Sequence, residues 1–177
     1  MFLSLAGDHS TGVGRQEMQM PAPLELWGGI ECTVVRIGDE YRDQVVETAR
    51  GLAESHGWAA VTMRRLAGEL GVTQPVLYSA FASRQALVDA VALEGFSTIA
   101  AALEAVELEP LARMRAYLAF AADHPRVYEA MFSMPSELPF AADDTPAPLH
   151  RAFAAVREAF PDEDGTRAEV AWSTLHG

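Results

Sequence analysis

Residues 62–87 read TMRRLAGELGVTQPVLYSAFASRQAL, and this stretch decides the fold. Thr62, Thr73 and Ser83 each suit a helix N-cap, because their hydroxyl oxygens can accept from the first unpaired backbone N–H groups. Each follows a valine or alanine and precedes a leucine by four positions, which is the spacing of the hydrophobic staple. The stretch therefore predicts three helix starts in succession, with helices over about 63–70, 74–80 and 84–105.

The first two of these helices have the features of a helix-turn-helix. Leu66, Leu70 and Leu77 supply apolar contacts where the helices cross, and Ala67 is the small residue at the closest approach. Gly71 stands where the turn requires a left-handed backbone. In such a pair the second helix enters a DNA major groove with its first residues near the base edges. A helical hairpin used only for packing has the same pattern, so both interpretations stay open on this evidence.

The remainder of the chain also has helical periodicity, and no strand pattern is convincing. Apolar residues at helical spacing predict helices over about 40–56, 110–122, 125–132 and 147–160, and a last helix from about 166. Residues 1–39 lack this periodicity and contain several glycines and prolines, so we expect a flexible extension there. The prediction is an all-α chain in three parts: the extension 1–39, a helix-turn-helix domain over 40–90 and a helical C-terminal domain over 106–177.

Charge is distributed unevenly along the chain. The formal net charge is −12, which by itself disfavours nucleic acid as a partner, because phosphate binding relies on basic residues. Residues 41–84 nevertheless contain five arginines against four acidic residues, whereas residues 1–40 and 85–177 sum to −4 and −9. A locally basic segment beside an acidic body is an arrangement that orients a protein on a polyanion.

Several classes of protein are disfavoured by what the sequence lacks. Cys32 is a lone cysteine, which excludes an internal disulfide and a cysteine-based zinc site and favours a reducing cytoplasm. No apolar run approaches the roughly 18 residues of a membrane helix. The sequence has no nucleophile elbow, phosphate loop or metal-ligand spacing, so we expect no enzyme, no metal and no cofactor.

The stretch 62–87, with its GVT, LY, F and S residues in order, closely resembles the DNA-binding domain of TetR-family transcriptional regulators. The resemblance implies that Thr62 and Thr73 cap helices that touch phosphate, and that Gln74 and Ser79 point toward the groove. It implies further that Tyr78 lies on the DNA backbone and that Arg84 grips phosphate. The implied DNA-contacting set is Thr62, Arg65, Thr73, Gln74, Val76, Tyr78, Ser79 and Arg84.

The C-terminal part, with Trp172 before His176-Gly177, resembles the ligand-binding domain of a TetR subgroup marked by a Trp…His-Gly signature. The resemblance implies an effector pocket and a homodimer formed through two long final helices. The chain stops inside the first of these, so we expect a truncated C-terminal domain. Plain core packing is the competing role for each candidate pocket residue. The candidates are Met114, Tyr117, Leu118, Phe120, Tyr128, Met131, Phe132, Phe153 and Trp172.

Two functional hypotheses follow from these features. The first is a ligand-responsive repressor that binds a double-stranded DNA operator as a dimer and releases it on binding an unknown small-molecule effector. The second is an all-helical small-molecule or protein-binding module whose DNA-reading head is degenerate and inactive. The second hypothesis draws on the scarcity of basic residues before the first helix, where Arg36 and Arg42 stand among acidic residues.

Overall fold

The computed structural model describes residues 28–139, 144–161 and 164–176, and these ranges are all-helical, with eight α-helices and one 3-10 turn. Residues 36–177 form one compact unit, and the described residues before it, 28–35, are the first turns of α1. The helices are α1 Gly28–His56, α2 Met63–Glu69, α3 Gln74–Ala80, α4 Arg84–Glu104, α5 Pro110–Asp123, α6 Pro125–Phe132, α7 Ala147–Ala159 and α8 Thr166–His176, with the 3-10 turn at Trp58–Ala60. The predicted fold class is thereby confirmed.

The first helix differs from the prediction. It begins at Gly28 rather than near residue 40, so the expectation of an irregular extension is wrong for residues 28–39. Gly28 and Gly29 stand in the first turn, where backbone N–H groups have no partner within the helix. Their unfavourable propensity therefore weighs less than in a helix interior. The rest of the predicted extension, residues 1–27, lies outside the described residues.

The helix-turn-helix forms as its cap residues predict, with one exception. The hydroxyl of Thr62 accepts from the amide of Arg65 at 3.2 Å, and that of Ser83 accepts from the amide of Ala86 at 3.0 Å. Thr73 occupies the N-cap position of α3 without a side-chain cap hydrogen bond, so its predicted hydroxyl cap is wrong. Gly71 adopts a φ of 67°, the left-handed conformation that the turn requires.

Helix α4 is the central element of the fold, and it packs against α5, α6 and α7. Among the described helices, α4 alone is long and apolar enough to cross a membrane by length and composition. More than half of its apolar stretch is buried inside the protein, as the core helix of a globular domain requires. The first residue of α4, Arg84, is hydrogen-bonded to residues just before α2, while the body of the helix packs against α5, α6 and α7.

Helices α4 and α6 approach each other closely at Gly95 of α4. A Cβ built at this residue would stand 2.6 Å from both the Met131 sulfur and the Val127 Cγ1 of α6, whose side chains are buried. Real Cβ atoms do not make contacts this short, so the crossing of α4 and α6 depends on the missing side chain.

We expect Gly95→Ala to destabilise the protein by about 1–3 kcal/mol, because the added methyl overpacks the α4–α6 crossing. Gly51→Ala in α1 is the matched control, since a Cβ there meets nothing within 4 Å. That substitution should instead raise the free energy of unfolding by about 0.5–1 kcal/mol, because alanine has a higher helix propensity than glycine. The comparison is the midpoint of urea unfolding for the two variants. Equal midpoints would contradict the close approach.

Candidate nucleic-acid interface and ligand cavity

Helix α3 presents an uncharged surface to solvent. Leu77 is fully buried against the core, while Gln74, Val76, Tyr78 and Ser79 are exposed. Val76 and Tyr78 keep 46% and 47% of their surface accessible, which is high for apolar or aromatic side chains. The hydroxyl of Ser79 donates to the Val76 carbonyl at 2.6 Å, so its proton is used within the helix. The exposed face of α3 is therefore composed of amide, methyl, phenol and hydroxyl groups.

Arginine 42 of α1 holds the last turn of α3. Its guanidinium donates to the carbonyl oxygen of Ala80 and lies 4.3 Å from the ring centroid of Phe81. A cation at a helix C-terminus satisfies an orphan carbonyl and interacts favourably with the helix dipole. Phe81 is 2% exposed and follows directly after α3, so this contact fixes where the helix ends. Sequence reasoning treated Arg42 as part of a weakened basic arm and missed this contact.

Arg84 is bound to the protein backbone at two points. Its Nε donates to the Val61 carbonyl and its Nη2 to the Trp58 carbonyl, both at 2.8 Å. The guanidinium also lies 6.0 Å from the Trp58 ring centroid, within the range of a cation–π contact. Two of its five N–H donors are thus engaged within the protein. The phosphate contact implied by the family resemblance would have to come from the remaining donors.

The exposed side of α2 carries the other basic residues of the helix-turn-helix. Thr62, Arg64 and Arg65 line a shallow surface depression together with Gly68 and Glu69. The Nε of Arg65 lies 3.7 Å from a carboxylate oxygen of Glu69, an exposed pair of the kind that contributes little to stability. Arg64 is exposed and has no ion pair within the part of the chain that the structure describes. Arg64 is therefore a cation available to a phosphate.

A cavity of about 620 Å³ lies among α4, α6, α7 and α8. Its volume is typical of small-molecule sites. Its apolar lining is largely aromatic, and its polar lining is exposed or partly exposed to solvent. The apolar residues are Phe96, Phe132, Leu149, Phe153 and Trp172, and the polar ones are Thr145, His150, Arg157 and Glu169. Within the described ranges, His, Cys, Asp and Glu side chains form no group of three that could hold a metal ion.

Three of the nine candidate pocket residues, Phe132, Phe153 and Trp172, line this cavity. Trp172 is central to the lining, with ring centroids 6.0 Å from Phe132 and 5.8 Å from Phe153 in edge-to-face contacts. Sequence reasoning missed Phe96, which lies on α4 and contacts the ring of Phe132 at 5.3 Å. Its position at helical spacing within a continuous apolar run offered no signal that would separate it from the plain core.

The structure places the other six candidates elsewhere. Tyr117 is fully buried and does not line the cavity, although its ring contacts the lining residue Trp172 at 5.7 Å and Tyr128 at 6.2 Å. Burial, together with a hydrogen bond to Tyr128, raises the pKa of the Tyr117 phenol above its ordinary value, so the phenol stays neutral. Met131 packs at the α4–α6 crossing, and Met114 on α5 is partly buried without lining the cavity.

Tyr128 on α6 contacts the ring of Phe132 at 4.8 Å without itself lining the cavity. Leu118 and Phe120 correct the prediction most clearly. Leu118 is 53% exposed on the outer face of α5, because the apolar spacing of that helix continues onto a surface that nothing in the described chain covers. Phe120 borders a separate cleft of about 170 Å³ with Arg50, Glu94 and His124 among its lining residues. A pattern of apolar residues along a helix identifies its faces without showing which cavity each face borders.

Hydrogen bonds connect the helix-turn-helix side of the molecule to α6. The carboxylate of Glu54 accepts from the backbone amides of Arg126, at 3.2 and 3.3 Å, and of Val127, at 3.1 Å. The indole N–H of Trp58 donates to the Arg126 carbonyl at 2.8 Å. Glu54 thus satisfies the unpaired amides at the start of α6, the helix that carries Phe132. The same Trp58 also accepts from Arg84 through its carbonyl.

Two family models match the two parts of the chain. Residues 45–91 match the model described as bacterial regulatory proteins, tetR family. Residues 111–177 match the model described as tetracyclin repressor-like, C-terminal domain. The first match contains the whole helix-turn-helix, and the second begins one residue into α5 and extends over α6, α7 and α8.

Individual proteins show the same similarity. The tetracycline repressor protein class C of Escherichia coli is 47% identical over 51 residues, which are 29% of this chain and only 23% of that repressor. A structure of a protein with unknown function from Rhodococcus sp. RHA1 has 30% identity and a TM-score of 0.60, covering 77% of this chain and 79% of that one. A structure described as a possible TetR family transcriptional regulator, from Streptomyces coelicolor A3(2), has 25% identity and a TM-score of 0.58, with coverages of 76% and 66%.

Proposed function

The chain belongs to the TetR family of bacterial regulatory proteins, and from this membership we propose that it is a ligand-responsive repressor that binds operator DNA as a dimer. The observation that carries the proposal is the helix-turn-helix itself, whose second helix exposes Gln74, Val76, Tyr78 and Ser79 to solvent. We place its action in the cytoplasm, where the DNA of a bacterium lies. Regulators of this family are generally not enzymes.

The small number of free cations near the helix-turn-helix supports DNA binding that is weak for each protomer alone. Arg42, which contacts the last turn of α3, and Arg84, which follows α3 in the chain, are hydrogen-bonded to backbone carbonyls, and Arg65 lies beside Glu69. Arg64 then supplies most of the available positive charge on the exposed side of α2. A single helix-turn-helix with so few cations would bind DNA weakly, so the proposal requires two of them on one operator.

The cavity supports a ligand of mixed character. Its four aromatic residues offer ring edges and faces to a flat, largely apolar molecule, and the solvent-exposed Arg157, His150 and Glu169 can orient a polar or charged group of that molecule. A ligand in contact with Phe132 would touch α6, whose first amides are bonded to Glu54, and one in contact with Phe96 would touch α4. Both helices lead to the helix-turn-helix, so occupancy can shift the population of the DNA-binding state.

The DNA-binding part of the proposal predicts a dependence on Arg64. Arg64→Ala should weaken binding to a selected duplex regardless of its base sequence, because one phosphate contact is lost in each protomer. The slope of log K against log salt should decrease in magnitude by about 0.9 for each lost contact. Arg151→Ala on α7 removes a cation that is paired with Glu104, so it serves as the control and should leave the slope unchanged.

Fluorescence anisotropy of the full chain with a labelled duplex, between about 50 and 200 mM salt, measures these slopes. An equal decrease of the salt-dependence slope in Arg64→Ala and in Arg151→Ala would contradict a phosphate contact by Arg64. Absence of any DNA binding at the lowest salt would overturn the repressor proposal and favour a binding module with an inactive reading head.

The cavity part of the proposal predicts binding of an aromatic probe, for which we choose 8-anilinonaphthalene-1-sulfonate. Phe153→Asp should weaken probe binding by about tenfold, equivalent to about 1.4 kcal/mol, because it places a carboxylate in the aromatic lining. Leu118→Asp makes the same change of charge on the exposed face of α5 and should leave the affinity unchanged. Titration by probe fluorescence measures both, with thermal unfolding to verify that each variant is folded. Equal probe affinities in Phe153→Asp and Leu118→Asp would contradict probe binding in this cavity.

A further inference from the structure

We propose that the cavity binds a small aromatic zwitterion, whose carboxylate pairs with Arg157 and whose ammonium pairs with Glu169 while its rings lie on the aromatic lining. This inference rests on the proposed effector-binding function and adds the chemical class of the effector. It follows from two opposite charges that the fold brings to one end of the cavity without joining them.

Arg157 and Glu169 both line the cavity, and both lie at the same end of it. Helices α7 and α8 pack together, and the ring centroids of Phe153 and Trp172 lie 5.8 Å apart between them. Arg157 lies one turn after Phe153 and Glu169 one turn before Trp172, so both are on the side of the turn that joins the two helices. The Nε of Arg157 accordingly lies 3.9 Å from the position that a Cβ of Gly165, in that turn, would occupy.

Neither charge has a partner among the described residues. The Arg157 guanidinium and the Glu169 carboxylate form no salt bridge or side-chain hydrogen bond there, either with each other or with a third residue. By contrast, Arg113, Arg126 and Arg151 on α5, α6 and α7 each lie beside a glutamate carboxylate. Arg157 therefore keeps its five N–H donors for a ligand, and Glu169 keeps both carboxylate oxygens as acceptors.

A ligand with a single charge would suit only one of these two side chains. An anion held by Arg157 would bring its negative charge near Glu169, and a cation held by Glu169 would bring its positive charge near Arg157. Like charges brought together oppose association. A head group with an ammonium and a carboxylate on one carbon can instead form charge-assisted hydrogen bonds to both side chains at once.

The rest of the cavity suits a flat aromatic body. Phe96 on α4 and Phe132 on α6 add their rings to those of Phe153 and Trp172, and aromatic rings pack on one another in edge-to-face or offset arrangements. His150 lies one turn before Phe153, away from the charged end. The ligand is thereby oriented with its charged head toward the α7–α8 turn and its rings toward α4 and α6.

The probe is 3-(2-naphthyl)alanine, compared with two analogues that each lack one charge. The first, 2-(2-naphthyl)ethylammonium, lacks the carboxylate, and the second, 3-(2-naphthyl)propionate, lacks the ammonium. Isothermal titration calorimetry measures the affinity of all three for the unmodified full chain, Arg157→Gln and Glu169→Gln. Arg151→Gln is the control, because it makes the same change of charge on α7 at a residue that pairs with Glu104 and does not line the cavity. Thermal unfolding verifies that each variant is folded.

We expect each analogue to bind the unmodified chain about tenfold more weakly than naphthylalanine. This is the lower end for a hydrogen bond to a charged group, because both side chains are exposed to solvent. The loss on removing the ligand carboxylate should vanish in Arg157→Gln and persist in Glu169→Gln. The loss on removing the ammonium should vanish in Glu169→Gln and persist in Arg157→Gln. Both losses should persist in Arg151→Gln.

Four results would overturn the inference while leaving ligand binding in the cavity intact. They are equal affinities of the three naphthyl compounds, tighter binding of either analogue than of naphthylalanine, losses that are unchanged in Arg157→Gln and Glu169→Gln, and binding of 8-anilinonaphthalene-1-sulfonate without binding of naphthylalanine. A different result, in which neither 8-anilinonaphthalene-1-sulfonate nor any naphthyl compound binds, would overturn the cavity part of the proposed function itself.

Discussion

The position of the helix-turn-helix depends on the two hydrogen bonds that Arg84 donates to the carbonyls of Trp58 and Val61. Arg84 begins α4, while Trp58 and Val61 lie in and just after the 3-10 turn that precedes α2. The charged donor therefore fixes the start of the central helix against the start of the helix-turn-helix. Hydrogen bonds from charged groups are worth more than neutral ones, and they are most costly to lose when partly buried, as these are.

The same turn is also bonded to α6. Trp58 donates its indole N–H to the Arg126 carbonyl, and Glu54, one turn earlier, accepts from the first amides of α6. Trp58 thus links Arg84 on one side to α6 on the other. Helix α6 carries Phe132 into the cavity, and its Val127 and Met131 pack closely on Gly95 of α4. A ligand that displaced α6 would consequently shift the helix-turn-helix through the contacts that α6 makes with α4 and with Trp58.

Much of the fold could be predicted from the sequence because its signals are local. The N-caps at Thr62 and Ser83 and the left-handed turn at Gly71 are properties of a few consecutive residues, and the structure confirms them. Thr73 is the exception, since its position at the N-cap did not bring its hydroxyl to a helix amide. The start of α1 at Gly28 was missed because two glycines outweighed the residues that follow them.

The site could be predicted less completely, since it depends on contacts between distant residues. Nothing in the sequence near Arg84 indicates that its partners are carbonyls 23 and 26 positions earlier. Leu118 and Trp172 both occupy helical apolar stripes, yet one is 53% exposed and the other lines a cavity. Helical spacing shows which residues share a face, whereas tertiary packing decides what that face meets.

The connection between the helix-turn-helix and α6 through Trp58 is tested most directly by amide hydrogen exchange, resolved by peptide, in the unmodified full chain and in Trp58→Phe. This substitution keeps an aromatic ring and the backbone carbonyl but removes the indole donor to Arg126. We expect faster exchange both at the start of α6 and in residues 58–61, with Tyr78→Phe on the exposed face of α3 as an unaffected control. Faster exchange in residues 58–61 with α6 unchanged would contradict a connection between the reading head and the cavity through Trp58.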